Sequence, residues 1–168
     1  MKRFTVAILV NNQFGVLNRV TSMFRRRAFN ITSLTVSETE SEEFSRITVQ
    51  SMGDEIKKEQ LINQLYKLPD VVSIKELHEH GSVRRELLLI KIKNDPATRI
   101  DARAAAEAFD ATILDYAKDS IIYQLSDESR RIDDFIELMR DFEIIEICRT
   151  GIVALERGEN TIREVNFL

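Results

Sequence analysis

The spacing of apolar residues along the chain alternates between the two-residue period of strands and the 3.6-residue period of helices. Phe4 to Val10 has the pattern of a strand, and Val16 to Arg27 has the spacing of an amphipathic helix. Two β-prone stretches then predict strands, a second helical stretch ends at Pro69, and one more strand follows. The predicted bounds of these four elements are 31–37, 44–51, 56–67 and 71–77. The resulting order, βαββαβ, is the split βαβ or ferredoxin-like unit.

The same order recurs in the second half of the chain. Asp95-Pro96-Ala97 is expected to open its first helix, because proline suits a first helical turn. Strands are predicted at 86–93, 111–116, 120–125 and 144–148, and helices at 95–109 and 127–141. The pattern therefore predicts an α+β protein with two ferredoxin-like domains in tandem. Their expected ranges are 1–78 and 84–168, the second with a short tail, and a polar linker covers 79–83.

The most informative local motif is the corner between the first strand and the first helix. Gly15 at the mouth of that helix would let a ligand approach the backbone closely. The free N–H groups there favour an anion such as a carboxylate, and the amides of Asn12 and Asn30 suit a zwitterion. The simpler alternative is that Gly15 only eases a turn. The second copy has Asn94-Asp95-Pro96 at this place, so a ligand is expected in the first copy only.

Composition narrows the class of protein. The 168 residues are 43% hydrophobic and 31% charged, which is typical of a globular chain. The net charge of −4 argues against non-specific binding to nucleic acid. Purely apolar runs such as Leu87 to Ile90 are far too short to cross a membrane. No apolar signal segment precedes the first strand, so a cytoplasmic location is expected.

Candidates for chemistry are few. His78 and His80 are interpreted as solvated linker residues and not as metal ligands, because no cluster with ligand spacing accompanies them. The single cysteine, Cys148, is predicted to be a small core residue and not a nucleophile. Arg25-Arg26-Arg27 either complements a helix dipole or forms a docking patch for an acidic partner. The chain contains no Gly-rich phosphate loop and no dinucleotide fingerprint.

Several runs resemble the regulatory, or small, subunits of acetolactate synthase, which begin with an ACT domain. The matching runs are Asn12–Val20, Phe29–Val36, Ser45–Gln50, Gln64–Leu68, Val83–Leu87 and Arg149–Gly158. They cover nearly the whole chain. The run Asn30-Ile31-Thr32-Ser33-Leu34-Thr35-Val36 is the one that distinguishes this family from other ACT proteins.

The resemblance implies a non-catalytic subunit without metal or cofactor of its own. Its partner would be a catalytic subunit that uses thiamine diphosphate, magnesium and FAD to condense pyruvate with itself or with 2-oxobutanoate. The small subunit would raise that activity and make it sensitive to an end product, commonly valine. Effector sites of the family lie between ACT domains of a homodimer. The matching positions here are Asn12, Gly15, Val16, Leu17, Asn30 and Ile31.

Two other functions are considered. The chain could be an ACT-type amino-acid sensor that acts on a different enzyme or on a transcriptional regulator, although no helix-turn-helix or basic face is evident. It could also be a small enzyme on the ferredoxin-like fold. The absence of a general acid–base pair among the carboxylates argues against that reading.

Overall fold

The computed structural model of the chain describes residues 2–163, which form two compact units. Among these residues, the first unit contains 2–84 and 152–163, and the second is Arg85–Gly151. The chain therefore passes between the units twice. The expected second domain of 84–168 differs from this grouping in that residues 152–163 join the first unit.

The first unit is an antiparallel sheet with two helices on one face. Its strands have the order β2-β3-β1-β4, so β2 and β4 are edge strands. The elements are β1 (Lys2–Asn11), α1 (Val16–Arg26), β2 (Ile31–Glu38), β3 (Phe44–Gly53), α2 (Glu55–Leu65) and β4 (Val71–Glu76). The predicted βαββαβ unit is confirmed, and each boundary lies within two residues of its prediction.

The core of the first unit lies between the helices and the sheet. Alternate residues of β1 face it, and α1 and α2 each contribute one buried stripe. The buried members include Val6, Ile8, Val10, Val20, Phe24, Ile47, Val49, Leu61 and Leu65. Leu61 and Leu65 are one turn apart, which places both on the buried face of α2.

The second face of this sheet, the one away from the helices, is also covered. Ala7 and Leu9 lie there and pack in one cluster with Leu77, Ile152 and Ile162. We call residues 152–162 the return segment. It contains a short strand, β9 (Val153–Glu156), that the sequence analysis missed. Because both faces are covered, every residue from Phe4 to Val10 is buried.

The second unit repeats the architecture. Its strands follow the order β6-β7-β5-β8, with β6 and β8 at the edges. Two helices pack on one face around Ile90, Tyr123 and Phe135. The elements are β5 (Ser82–Lys93), α3 (Arg99–Ala108), β6 (Thr112–Tyr116), β7 (Ser120–Asp127), α4 (Ser129–Met139) and β8 (Ile144–Arg149). The predicted pair of ferredoxin-like folds is thus confirmed.

Three local predictions need correction. The helix α3 begins at Arg99, because the segment from Asp95 to Thr98 forms a turn first, with Asp95 accepting a hydrogen bond from the Ala97 N–H. Cys148 is exposed and not in the core, because it pairs with Leu89 and so lies on the sheet face opposite to that of the core residue Ile90. The expected linker ends early, since β5 already begins at Ser82.

Candidate functional site

The corner between β1 and α1 begins with a glycine in the left-handed region. Gly15 has a φ of 82° and is the N-cap of α1, with no side chain capping the helix. The N–H of Val16 bonds to the carbonyl of Gln13 at 3.3 Å, and that of Arg19 bonds to Gly15 at 3.1 Å. The N–H groups of Leu17 and Asn18, between these two, have no acceptor within the helix. The corner therefore combines open backbone with the positive end of a helix.

An ion pair lies close to this glycine. The Nε and Nη2 atoms of Arg19 bind the same carboxylate oxygen of the buried Asp70, at 2.8 and 2.7 Å. The carbonyl of Asp70 accepts the N–H of Asn11 at 2.9 Å, which ties the ion pair to the end of β1. A Cβ on Gly15 would lie 3.4 Å from the Nη1 of Arg19. A side chain at position 15 would therefore be strained by φ and would also meet Arg19.

Asn12 links the β1–α1 corner to the turn between β2 and β3 through hydrogen bonds. Its Nδ2 donates to the Glu42 carbonyl at 2.9 Å and to a Glu38 carboxylate oxygen at 3.0 Å. Its Oδ1 accepts from the Ser45 hydroxyl at 3.0 Å, and its backbone N–H bonds to the Glu43 carbonyl at 2.8 Å. Both amide hydrogens are thus already donated within the chain. Only one lone pair of Oδ1 remains for any further contact.

The two halves of the sequence-predicted site lie at opposite ends of the sheet. Ile31 is level with Ser51, which pairs with Phe4, whereas Asn11 at the corner pairs with Phe44. The offset between Phe4 and Asn11 along β1 corresponds to roughly 23 Å. One chain therefore brings Asn12, Gly15, Val16 and Leu17 together, but it leaves Asn30 and Ile31 apart from them.

The predicted site residues also differ in how far their side chains are exposed to solvent. Val16 is 3% exposed and belongs to the core, whereas Leu17 is 40% exposed and Asn30, just before β2, is exposed. Phe14, beside the glycine, is fully exposed.

A buried carboxylate in the second unit was not foreseen from the sequence. Glu86 at β5 accepts two bonds from Arg149 at β8, at 2.6 and 2.9 Å, and one from the Ser129 hydroxyl at 2.9 Å. Arg149 also binds Asp133 at 2.7 Å. Burial alone would raise the pKa of Glu86, but the bonds from Arg149 and Ser129 outweigh it and lower that pKa. The same pairing raises the pKa of Arg149. The cluster therefore joins two strands and one helix through paired charges.

Within residues 2–163, no group of three His, Cys, Asp or Glu side chains is placed to hold a metal ion. His78 and His80 are exposed, with His78 lying 3.9 Å from Glu76. None of the helices in this range is long and apolar enough to cross a membrane.

Comparison with known proteins identifies the class and then the family. Residues 6–73 match the family model described as the AHAS small subunit-like ACT domain, so the first unit is an ACT domain. Residues 85–158 match the model for the small subunit of acetolactate synthase. The chain belongs to the family of acetolactate synthase small subunits.

Curated relatives and a solved structure agree with this assignment. The acetolactate synthase small subunit of Bacillus subtilis is 42% identical over 159 residues, which cover 94% of this chain and 92% of that protein. The isozyme 3 small subunit of Escherichia coli is 37% identical, with 96% and 99% covered. The crystal structure of the small subunit from Thermotoga maritima has a TM-score of 0.87 and 33% identity, and covers 95% of this chain and 100% of that one.

Proposed function

We propose that this chain is the regulatory subunit of an acetolactate synthase in branched-chain amino-acid biosynthesis, and that it has no catalytic activity itself. The observation that carries the proposal is the family resemblance over both units, at 42% identity to a named small subunit. The catalytic subunit is its partner and holds the thiamine diphosphate, magnesium and FAD that the reaction needs. This chain activates that subunit and carries the site for a feedback inhibitor, valine, in its first unit.

The effector site is proposed to form between the first units of two chains. The edge strand β2 carries no charge from Ile31 to Ser37, so it lacks the usual protection against pairing with another strand. Antiparallel pairing of two β2 strands about a two-fold axis sets the start of one strand beside the end of the other. That end is Glu38, whose carboxylate bonds to Asn12 at the corner. The dimer thereby brings Asn30 and Ile31 of one chain to Gly15 of its partner.

The chemistry of this composite site suits an amino acid with a small apolar side chain. The open N–H groups at the start of α1 would donate hydrogen bonds to the effector carboxylate. Leu17 and Ile31 supply partly exposed apolar surface for a branched side chain. The Oδ1 of Asn12 and the side chain of Asn30 offer acceptors for the ammonium group.

The decisive experiment measures acetolactate formation by the purified catalytic subunit, with and without this chain, across a panel of amino acids. Addition of the chain is expected to raise the rate, and valine is expected to lower it again. A chain that neither activates nor co-purifies with the thiamine-dependent enzyme would contradict the proposal. Amino-acid binding without any effect on that enzyme would favour a sensor that acts on another protein.

A further inference from the structure

Two of the runs that carry the family resemblance meet in space, although well over 100 residues separate them. The Ser33 hydroxyl accepts the backbone N–H of Ile152 at 2.9 Å, and the Thr35 hydroxyl donates to the Ile152 carbonyl at 3.0 Å. Ser33 and Thr35 are two residues apart on β2, so both side chains lie on the same face of the sheet. The backbone of a single residue thus bridges two positions on the edge strand.

Ile152 is held firmly on its other side. Its side chain is 4% exposed and packs in the cluster with Ala7, Leu9 and Leu77. Further along the return segment, the Ala154 carbonyl accepts a bond from Arg46 at 2.7 Å. Glu156 pairs with Lys75 at 3.1 Å. The return segment therefore contacts β1, β3 and β4. It also binds β2 through the hydroxyl groups of Ser33 and Thr35.

The part of β2 that binds Ile152 begins at a β-bulge. The register with β3 shifts between Ile31 and Ser33, and the Thr32 hydroxyl donates to the Gln50 carbonyl at 3.1 Å. Such a bulge re-aims the side chains beside it. Ser33 is the first residue after the shift, and Asn30 and Ile31 are those before it. The position of Ser33 therefore governs how Asn30 and Ile31 are presented.

An edge strand needs this support because only one neighbour holds it. β2 has a backbone ladder to β3 and none on its other edge within residues 2–163. The hydrogen bonds from Ile152 reach β2 from one face of the sheet and not along its free edge. The backbone groups on the free edge consequently stay available for a strand of another chain.

We infer that Ile152 and its two hydroxyl partners, Ser33 and Thr35, form a clamp that positions Asn30 and Ile31 for the effector, so the return segment is a working part of the effector domain. The inference rests on the proposed function, since it assigns positioning residues to that effector site. The clamp residues themselves do not touch the effector. Their loss changes effector affinity through the geometry of β2.

The test compares two double variants of the full chain that differ only in whether the hydroxyls are kept. Ser33→Ala with Thr35→Val removes both, and Ser33→Thr with Thr35→Ser retains both. Valine binding is measured by calorimetry. Hydrogen exchange is followed at the amides of Ile31 to Ser37. Loss of two neutral hydrogen bonds is expected to weaken valine binding by about tenfold and to speed exchange in β2, and the retaining variant should recover wild-type values.

Each outcome has a defined meaning. Wild-type affinity in the hydroxyl-free variant overturns the inference, and so does a lowered melting temperature without a change in valine binding, because either leaves only a structural role. If the double variant does not fold, Thr35→Val against Thr35→Ser gives the same comparison with one bond. A wild-type chain that binds no amino acid overturns the proposed function itself, whereas unchanged variants of a binding chain overturn only the clamp.

Discussion

At the scale of single residues, the position of Gly15 is the most constrained feature of the candidate site. Its φ of 82° favours glycine, and the guanidinium of Arg19 lies close to where a Cβ would stand. Asparagine and aspartate are the side chains that tolerate this backbone region best. The two side chains have the same shape and differ in charge. A comparison of both substitutions at position 15 therefore distinguishes the effect of charge from that of backbone strain.

Gly15→Asp is expected to weaken valine binding by roughly tenfold or more, because its carboxylate would repel that of the effector at the mouth of α1. Gly15→Asn should lose much less, since it adds the same bulk without charge. The measurement is the valine concentration that half-inhibits the complex with the catalytic subunit. Equal values for wild type and the aspartate variant would remove Gly15 from the effector site.

Glu86 is expected to contribute stability that depends on pH. Its pKa is lowered in the folded state, so the unfolded chain takes up a proton first as the solution is acidified. The contribution is therefore full above the unfolded value of about 4.3 and is lost as the pH falls through the lower folded value. Glu86→Gln should reduce the free energy of unfolding by about 2 kcal/mol at pH 7.

Urea unfolding of wild type and Glu86→Gln at pH 7 and near pH 3 tests this expectation. The difference between the two proteins should shrink at the lower pH. Glu146→Gln serves as the matched control, because Glu146 is 71% exposed and its distance to Lys91 is 3.8 Å. Such a surface pair contributes little. A gap between wild type and Glu86→Gln that is unchanged by acid would contradict the lowered pKa.

At the scale of elements, the return segment completes the first unit. Without it, the apolar second face around Ala7, Leu9 and Leu77 would meet water. Burying an isoleucine side chain contributes about 1.5–3 kcal/mol, and the segment buries both Ile152 and Ile162. The first six elements alone are therefore a ferredoxin-like fold with one bare face.

A fragment of residues 1–84 is consequently expected to be markedly less stable than the first unit in the full chain and to bind a hydrophobic dye. A peptide of residues 151–163, added in trans, should raise its melting temperature and displace the dye. The control peptide replaces Ile152 and Ile162 with serine. A fragment that melts like the full chain and ignores the peptide would show that the second face needs no cover.

Much of the fold follows from the sequence because its elements are amphipathic and their periods are clear. The first twelve elements appear in the predicted order. The strand that was not predicted, β9, has only four residues, too few to show an alternation of apolar and polar positions. A signal was nevertheless present: the unbroken apolar run from Val6 to Val10 is typical of a strand buried on both faces.

The candidate site was predictable only as a set of residues. The glycine and its helix mouth are local features, and they lie where the pattern placed them. The separation of Asn30 from Gly15 depends on strand order. The engagement of Asn12 with Glu38 and Ser45 depends on a turn more than 25 residues away. Neither could be obtained from residue types and spacing.

At the scale of the whole molecule, the separation of the two half-sites makes the dimer the expected ligand-binding species. If valine binds only where two chains meet, it must favour their association. At a hundredfold excess over its dissociation constant, the stabilisation is about 2.7 kcal/mol per site. Sedimentation at low protein concentration should therefore show a shift from monomer to dimer when valine is added.

Val36→Lys provides the companion variant, because a lysine on an edge strand discourages pairing. It should weaken the dimer and valine binding together. Met52→Lys adds the same charge to β3, at a side chain of similar exposure. Tight valine binding that leaves the monomer–dimer equilibrium unchanged would place the site within one chain.

The double passage of the chain between the units also sets an order of events during synthesis. Residues 85–151 must be made after the six elements of the first unit and before Ile152. At about 5–20 residues per second, this interval lasts on the order of ten seconds. During that time the nascent sheet offers its bare face to any chain nearby, including a sister copy on the same message. Intermolecular exchange of the return segment is thus a risk that translation speed controls.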